Sequence, residues 1–332
     1  MNHFIGIDVA KSTLQVHIPQ DQVDLEVANT KSGLQRLYNT LKRSYKSEFE
    51  HIVFVYESTG SYSRPLEEFC QEKSVRCFKV GAYQSASFSK TVKNRNKTDR
   101  VDARMLSAMQ MLAGDGDIKI PHRDEVAHKL RSYIKYYQSL NKEKTRLKNY
   151  REAATFNQED TYVLHQVEKR IKQIGKEQDN LMVLSMKLVK SNDDYFNAYE
   201  NITSIKGIGQ KCSIVLLYFF LRYPHTSRQQ ITALAGLDPV KKESGTSLKR
   251  KTRISKQGIS LVRGILYMPM LCIVRHNDEM KSIYEHLVKA GKPKMSAQIA
   301  VMRKVVLLAH SLYKNNQKYD DNKYLTFAKK AA

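Results

Sequence analysis

Ile52-Val53-Phe54-Val55-Tyr56-Glu57 is an unbroken apolar run that closes on a carboxylate, and Ser58-Thr59-Gly60 follows it as a turn. Apolar side chains at every position leave no face for water, so the run predicts a central strand covered on both sides. The chain upstream supplies its neighbours. His3 to Asp8 reads as a buried strand. Thr13 to Ile18 and Val23 to Val27 alternate apolar and polar residues, and their short polar connections predict an antiparallel meander. Thr30 or Ser32 can cap a helix that carries Leu34, Leu37, Tyr38 and Leu41 at helical spacing. Downstream, a helix over about 63–73 and a short strand over 75–80 complete the set.

Three strands, a helix, a strand, a helix and a strand is the element order of an α/β RNase H-like fold. That fold carries one acid on its first strand and another at the end of its fourth. Asp8 and Glu57 occupy those places, which is an analogy of fold and not yet chemistry. Two further acids stand in Lys97-Thr98-Asp99-Arg100-Val101-Asp102-Ala103-Arg104, a segment that reads as the start of a helix. Three-residue spacing puts Asp99 and Asp102 on one helix face, where they repel each other unless a cation lies between them. Lys97, Arg100 and Arg104 can supply that charge, or a metal can. Hard divalent cations take oxygen ligands and leave room for substrate phosphates, so Asp8, Glu57, Asp99 and Asp102 together are a candidate Mg²⁺ or Mn²⁺ site.

The composition is that of a globular chain long enough for two or three domains: 332 residues, 41% hydrophobic and 27% charged. The formal net charge of +23 favours a polyanionic partner. It is unevenly placed. Residues 1–120 hold 17 basic and 14 acidic side chains, and the remainder holds 39 and 19. The grip on the polyanion is therefore expected downstream of the acids. Cys70, Cys77, Cys212 and Cys272 form no zinc-ligand pattern, and nothing demands disulfides. With no basic leader or cleavage site and no membrane-length apolar run, the expected location is the bacterial cytoplasm, in association with the nucleoid, without a membrane partner.

From Asp124 to about Asn192 there is one glycine, Gly175, and no proline. Apolar residues from Val126 to Leu188 recur at steps of three and four, which predicts two long helices, an antiparallel coiled-coil pair with a break near 157–160. A spacer and an element for assembly both fit that pattern. Further on, Ile205-Lys206-Gly207-Ile208-Gly209-Gln210 leads into the apolar helix Cys212 to Leu221. A glycine-rich turn at a helix N-terminus is similar to a helix–hairpin–helix element, in which Lys206 and the backbones of Gly207 and Gly209 can hold a phosphate. A tight interhelical turn explains the same glycines. Lys241 to Lys256 is seven-sixteenths basic and encloses the small, flexible Glu243-Ser244-Gly245-Thr246-Ser247. Lys249, Arg250, Lys251, Arg253 and Lys256 are candidate contacts to nucleic-acid backbone. Helices over 261–274 and from Ser296 complete a mainly α-helical C-terminal part. The expected domains are 1–120, 121–195 and 196–315, with a tail over 316–332.

These segments together resemble the DEDD-type transposases of the insertion sequence 110 family. The resemblance rests on Gly6-Ile7-Asp8-Val9-Ala10-Lys11, Glu57-Ser58-Thr59-Gly60-Ser61-Tyr62, the Asp99/Asp102 segment, Gly207-Ile208-Gly209, Ala235-Gly236-Leu237-Asp238-Pro239, Glu243 to Ser247 and Arg253 to Gly258. It runs through nearly the whole chain in order. It implies a RuvC-like catalytic domain with Asp8, Glu57, Asp99 and Asp102 as its acids, and Ser244 as a serine nucleophile. It also implies element-end and target DNA as substrates, a structured guide RNA and a homodimer or homotetramer. On the residues alone, Ser244 reads first as a hydroxyl in a basic loop that contacts a phosphate, and spacing does not choose between it and Ser247. Two rival readings remain: a Holliday-junction endonuclease that hydrolyses DNA with the four acids, and a nucleic-acid-binding protein without catalysis.

Overall fold

The computed structural model describes residues 2–57, 60–91, 99–114, 116–121, 124–244 and 248–320, with backbone alone at 241–244 and 248–251. The chain divides into two compact units, 1–123 and 124–332. The first runs β1 (His3–Val9), β2 (Thr13–Ile18), β3 (Val23–Ala28), α1 (Lys31–Tyr45), β4 (Ile52–Glu57), α2 (Arg64–Glu72), β5 (Arg76–Val80), α3 (Ala82–Thr91), α4 (Asp99–Ala108) and the two-residue β6 (Ile118–Lys119). Short 3₁₀ turns follow α1 and α4. The sheet order is β3-β2-β1-β4-β5-β6. β4 lies parallel to both β1 and β5, and the remaining pairs are antiparallel.

Side-chain alternation sorts this sheet into two faces. Ile5, Ile7, Ile52, Phe54 and Tyr56 face a core built with Leu34, Leu37 and Leu41 of α1 and Leu66 and Phe69 of α2. Val53 and Val55 face the other way, with Phe78, Val80, Leu106 and Met109, and Phe4 packs against them. The central run is thus buried on both sides because helices cover both sides. Thr30 is the cap of α1, accepting from the Gly33 N–H at 3.2 Å.

The second unit is mostly helical. α5 (Glu125–Phe156) and α6 (Thr161–Lys190) form an antiparallel pair around Leu140, Ile174 and Leu181. Arg170 to Glu143 (2.9 Å) and Tyr136 to Glu177 (3.2 Å) link the two helices across that seam. α7 (Asp193–Thr203), α8 (Gln210–Arg222) and α9 (Arg228–Leu234) follow, then β7 (Pro239–Ser244), β8 (Leu248–Ile254), α10 (Ser260–His276), α11 (Asp278–Lys289) and α12 (Lys294–Asn315). Every residue from Cys212 to Leu221 of α8 is buried. That helix is apolar all round because it is surrounded, and Ala127, Leu130 and Ile134 of α5 belong to the same core.

One expectation is corrected here, and one element was not anticipated. The basic run 241–256 is not a plain loop: β7 and β8 pair antiparallel through most of it. A helix not anticipated, α11, fills the interval before α12, although its N-terminus is signalled by Asn277, whose side chain accepts from the Met280 N–H, and by acids in its first turn. Among the described residues, no helix is long and apolar enough to cross a membrane. Cys70, Cys77 and Cys212 are buried free thiols, and Cys272 is an exposed one.

Candidate active site

Asp8 and Glu57 end up side by side for a reason that can be traced through the register. Phe4, Gly6 and Asp8 alternate onto the same sheet face as Val53, Val55 and Glu57. β1 and β4 are parallel, pairing Gly6 with Val55 and Ile7 with Tyr56, so Asp8 and Glu57 stand one step further along neighbouring strands. α4 covers this face. It begins at Asp99 and carries Asp102 in its first turn, so the second pair of acids arrives on the helix that lies over the first pair. Asp99 is exposed; Asp8, Glu57 and Asp102 are half-buried.

Gly6 makes that approach possible. A Cβ there would lie 1.9 Å from the Ala103 carbonyl oxygen and 2.7 Å from the Ser107 nitrogen, both backbone atoms of α4. A glycine inside an apolar strand signals such an approach, and this one was legible as a signal though its partner was not. Arg104 does not serve the acids of its own helix, contrary to one expectation. Its Nε donates to both carboxylate oxygens of Asp24 at 3.1 Å, and Nη2 also donates there, tying α4 to β3. His17 Nδ1 lies 2.8 Å from the same carboxylate. The Arg104 hydrogen bonds, more than His17, hold the Asp24 carboxyl below its usual range despite its burial. Lys97 lies outside the described residues, and Arg100 is exposed.

The electrostatics of Asp8 record the convergence. Its carboxyl is pushed up to about 6, first by burial and then by the charges of Asp99 and Asp102, with Glu57 adding to them; a hydrogen bond from the Val9 backbone works the other way. Asp8 thus feels the charges of the other three acids, and carboxylates are hard-oxygen donors of the kind that divalent cations take. Among the described residues, no three His, Cys, Asp or Glu side chains already close on a point that an ion could occupy.

Ser244 is the last residue of β7, paired with Leu248 across the hairpin; Gly245, Thr246 and Ser247 lie outside the described residues. The base of this hairpin is tightly built. Asp238 accepts from Ser255 Oγ, and its carbonyl accepts from the Ser255 N–H at 2.9 Å. Arg263 Nη1 donates to the Ala235 carbonyl at 2.8 Å, and Arg303 Nε donates to the Leu237 carbonyl at 2.8 Å. Asp238 thus has a structural task, and Arg263 and Arg303 were not anticipated in theirs. Arg253 and Lys256 are exposed on the distal strand and the turn after it.

The two glycines before α8 differ. Gly207 has φ +92°, and a Cβ there would lie 2.7 Å from Ile273 Cγ1, so packing alone demands a glycine. Gly209 is the N-cap of α8, exposed, with nothing within 4 Å of where a Cβ would stand, which leaves its backbone open to a ligand. Lys206 beside them is exposed.

Comparison with known proteins agrees with this layout. The DEDD-type IS110 family, described as "Transposase", matches residues 5–154. The family described as "Transposase IS116/IS110/IS902 family" matches residues 199–285. Together these cover more than half of the chain. Pilin gene-inverting proteins of Moraxella bovis and Moraxella lacunata are each 23% identical over 330 residues, covering 96% of this chain and 97% of theirs. These matches make the chain an enzyme that transposes or recombines DNA. The chain belongs to the IS110 family of transposases.

Proposed function

We propose that this chain is the recombinase of an insertion sequence, cutting and rejoining DNA at sites chosen by a structured guide RNA. Its first unit is read as a RuvC-like domain of RNase H-like class, a reading supported by the strand order β3-β2-β1-β4-β5 and by acids on the first and fourth strands. The pilin gene-inverting relatives, by their names, invert a DNA segment. The observation that carries the reading is the meeting of Asp8, Glu57 and the first turn of α4 on one sheet face, felt by Asp8 as a carboxyl pushed up to about 6.

In this reading Ser244 Oγ attacks a DNA phosphorus. One P–O ester bond to the DNA strand breaks as a P–O bond to serine forms, and the hydroxyl proton ends on the leaving sugar oxygen. Attack by a second strand's hydroxyl reverses the exchange and frees Ser244, so the ester energy is kept and no nucleotide cofactor is needed. Asp8, Glu57, Asp99 and Asp102 would hold Mg²⁺ or Mn²⁺. Bound there, the cation offsets charge developing on a phosphate. Lys206, Gly209, Arg253, Lys256 and the neighbouring Lys249, Arg250 and Lys251 contact nucleic-acid backbone, and the α5–α6 pair serves as the coiled-coil element of a homodimer or homotetramer.

The test is trapping. Incubated with element-end DNA, Mg²⁺ and the co-purified RNA, the protein forms an adduct that survives denaturation and is absent from Ser244→Ala; Asp8→Ala blocks cleavage. Strand cleavage by Ser244→Ala without any adduct would favour the Holliday-junction endonuclease.

A further inference from the structure

Asn29 stands in the two-residue link between β3 and α1 and is 8% exposed. Its Nδ2 donates to the Ala10 carbonyl and to the Tyr62 carbonyl, at 2.9 Å each. Ala10 is two residues beyond Asp8. Tyr62 lies in the segment that follows Glu57. One amide nitrogen therefore joins the two strand-end segments that leave the acids. Its Oδ1 is buried and without a hydrogen-bond partner among the described residues, and the two donations orient the side chain. Two donors on one short side chain are a property of asparagine: aspartate offers none, serine and threonine one, and glutamine is a methylene longer.

The link itself is fixed. The Asn29 N–H donates to the Ser12 carbonyl at 2.8 Å, and the Thr30 N–H to the Ala28 carbonyl at 2.8 Å. Gly33 in the first turn of α1 comes so near that a Cβ there would lie 2.1 Å from the Ala28 oxygen. Asn29 thus reaches out from an anchored point to two segments that have no strand pairing of their own with each other.

We infer that Asn29 is a positioning residue for the acid site: by holding the segments after Asp8 and Glu57, it sets the separation of those two carboxylates. The inference rests on the proposed reading of the four acids as a cation site. Removing a direct hydrogen bond to a metal ligand alters affinity by about 10- to 100-fold; Asn29 acts one step further out, through the backbones of Ala10 and Tyr62, so the lower end of that range applies. Removing Asn29 acts through both acids while leaving the basic surfaces untouched.

The experiment measures Mn²⁺ binding to the full chain without DNA, by electron paramagnetic resonance, alongside DNA affinity and strand cleavage. Asn29→Ala is expected to weaken Mn²⁺ about tenfold and to slow cleavage at least as much, with DNA affinity within about twofold. Asn29→Asp, similar in shape but without donors, is expected to behave alike. Thr30→Ala removes the α1 cap in the same link, touches neither segment, and is expected to leave Mn²⁺ affinity unchanged. Should Asn29→Ala not fold, Asn29→Ser supplies the same comparison with one donor removed. Mn²⁺ affinity kept by Asn29→Ala, or lost equally by Thr30→Ala, overturns the inference. Wild-type Mn²⁺ binding that is insensitive to Asp8→Ala overturns the reading of the acids, and the inference with it.

Discussion

Gly6 of β1 lies under the Ala103 carbonyl of α4 so closely that a single added methyl would overlap that oxygen, at 1.9 Å. Neither partner is a flexible side chain, so nothing local can yield. Gly6→Ala must lift α4, and α4 carries Asp99 and Asp102. The expected cost is about 3 kcal/mol or more of stability in the first unit, with strand cleavage lost. Thermal unfolding by circular dichroism and a cleavage assay check both; an unchanged melting temperature would mean that α4 does not sit there.

Asp8 gives a pH-dependent prediction. Its folded pKa, about 6, lies above the unfolded value of about 3.8. The folded state therefore binds the extra proton between those values, and stability contributed by protonated Asp8 is lost as pH rises through 6. Asp8→Asn removes the penalty. Without divalent metal, the variant is expected to be about 1–2 kcal/mol more stable than wild type at pH 7.5 and no more stable at pH 3.5, while inactive. Denaturant melts at the two pH values test it.

The Arg104–Asp24 pair works in the opposite direction. Asp24 is held ionised below its usual range, so its contribution is present above pH about 4 and fades as pH falls. Arg104 is mostly solvent-exposed, which limits the gain. A double-mutant cycle of Arg104→Met and Asp24→Asn should give a small favourable coupling at pH 7, shrinking at pH 3.5 and at high salt.

In the second unit, His310 is buried beside Phe220, with a ring-centroid distance of 5.2 Å. Burial, with help from Lys314 and Arg228, pushes its pKa down to about 4 from 6.5. The unfolded chain then takes the proton first, so stability is full above pH 6.5 and falls as pH drops toward 4, by about 3 kcal/mol in all. His310→Gln should lose this slope, seen as a smaller difference between melts at pH 7 and pH 4.5.

Neutralising Lys249, Arg250, Lys251, Arg253 and Lys256 together should reduce the slope of log affinity against log salt by about 4 to 5 for duplex DNA. Fluorescence anisotropy over a salt series measures it, and an unchanged slope would remove these side chains from the interface.

Much of the first unit was legible from residue patterns. The continuous run 52–57 signalled a doubly covered strand, the alternation in 13–18 and 23–27 signalled the meander, and Thr30 announced a helix. The β7–β8 hairpin was not legible, because a run of lysine, arginine, serine and threonine has no apolar period to betray its pairing. α11 was legible and passed over: Asn277, Asp278 and Glu279 mark its start.

The sequence by itself determined which residue types the chain carries and where: acids at 8, 57, 99 and 102, a serine at 244 in the Glu243 to Ser247 stretch, and a basic C-terminal portion. Those are properties of composition and short-range spacing, and they survive in any conformation. Only the tertiary structure decided that Asp8 and Glu57 share a face, that α4 lies on that face because Gly6 lacks a side chain, that Arg104 serves Asp24, and that Gly207 is needed for packing while Gly209 stays open. Each of those depends on strand register or on the approach of backbones far apart in the chain, and no local pattern encodes a distance between distant segments.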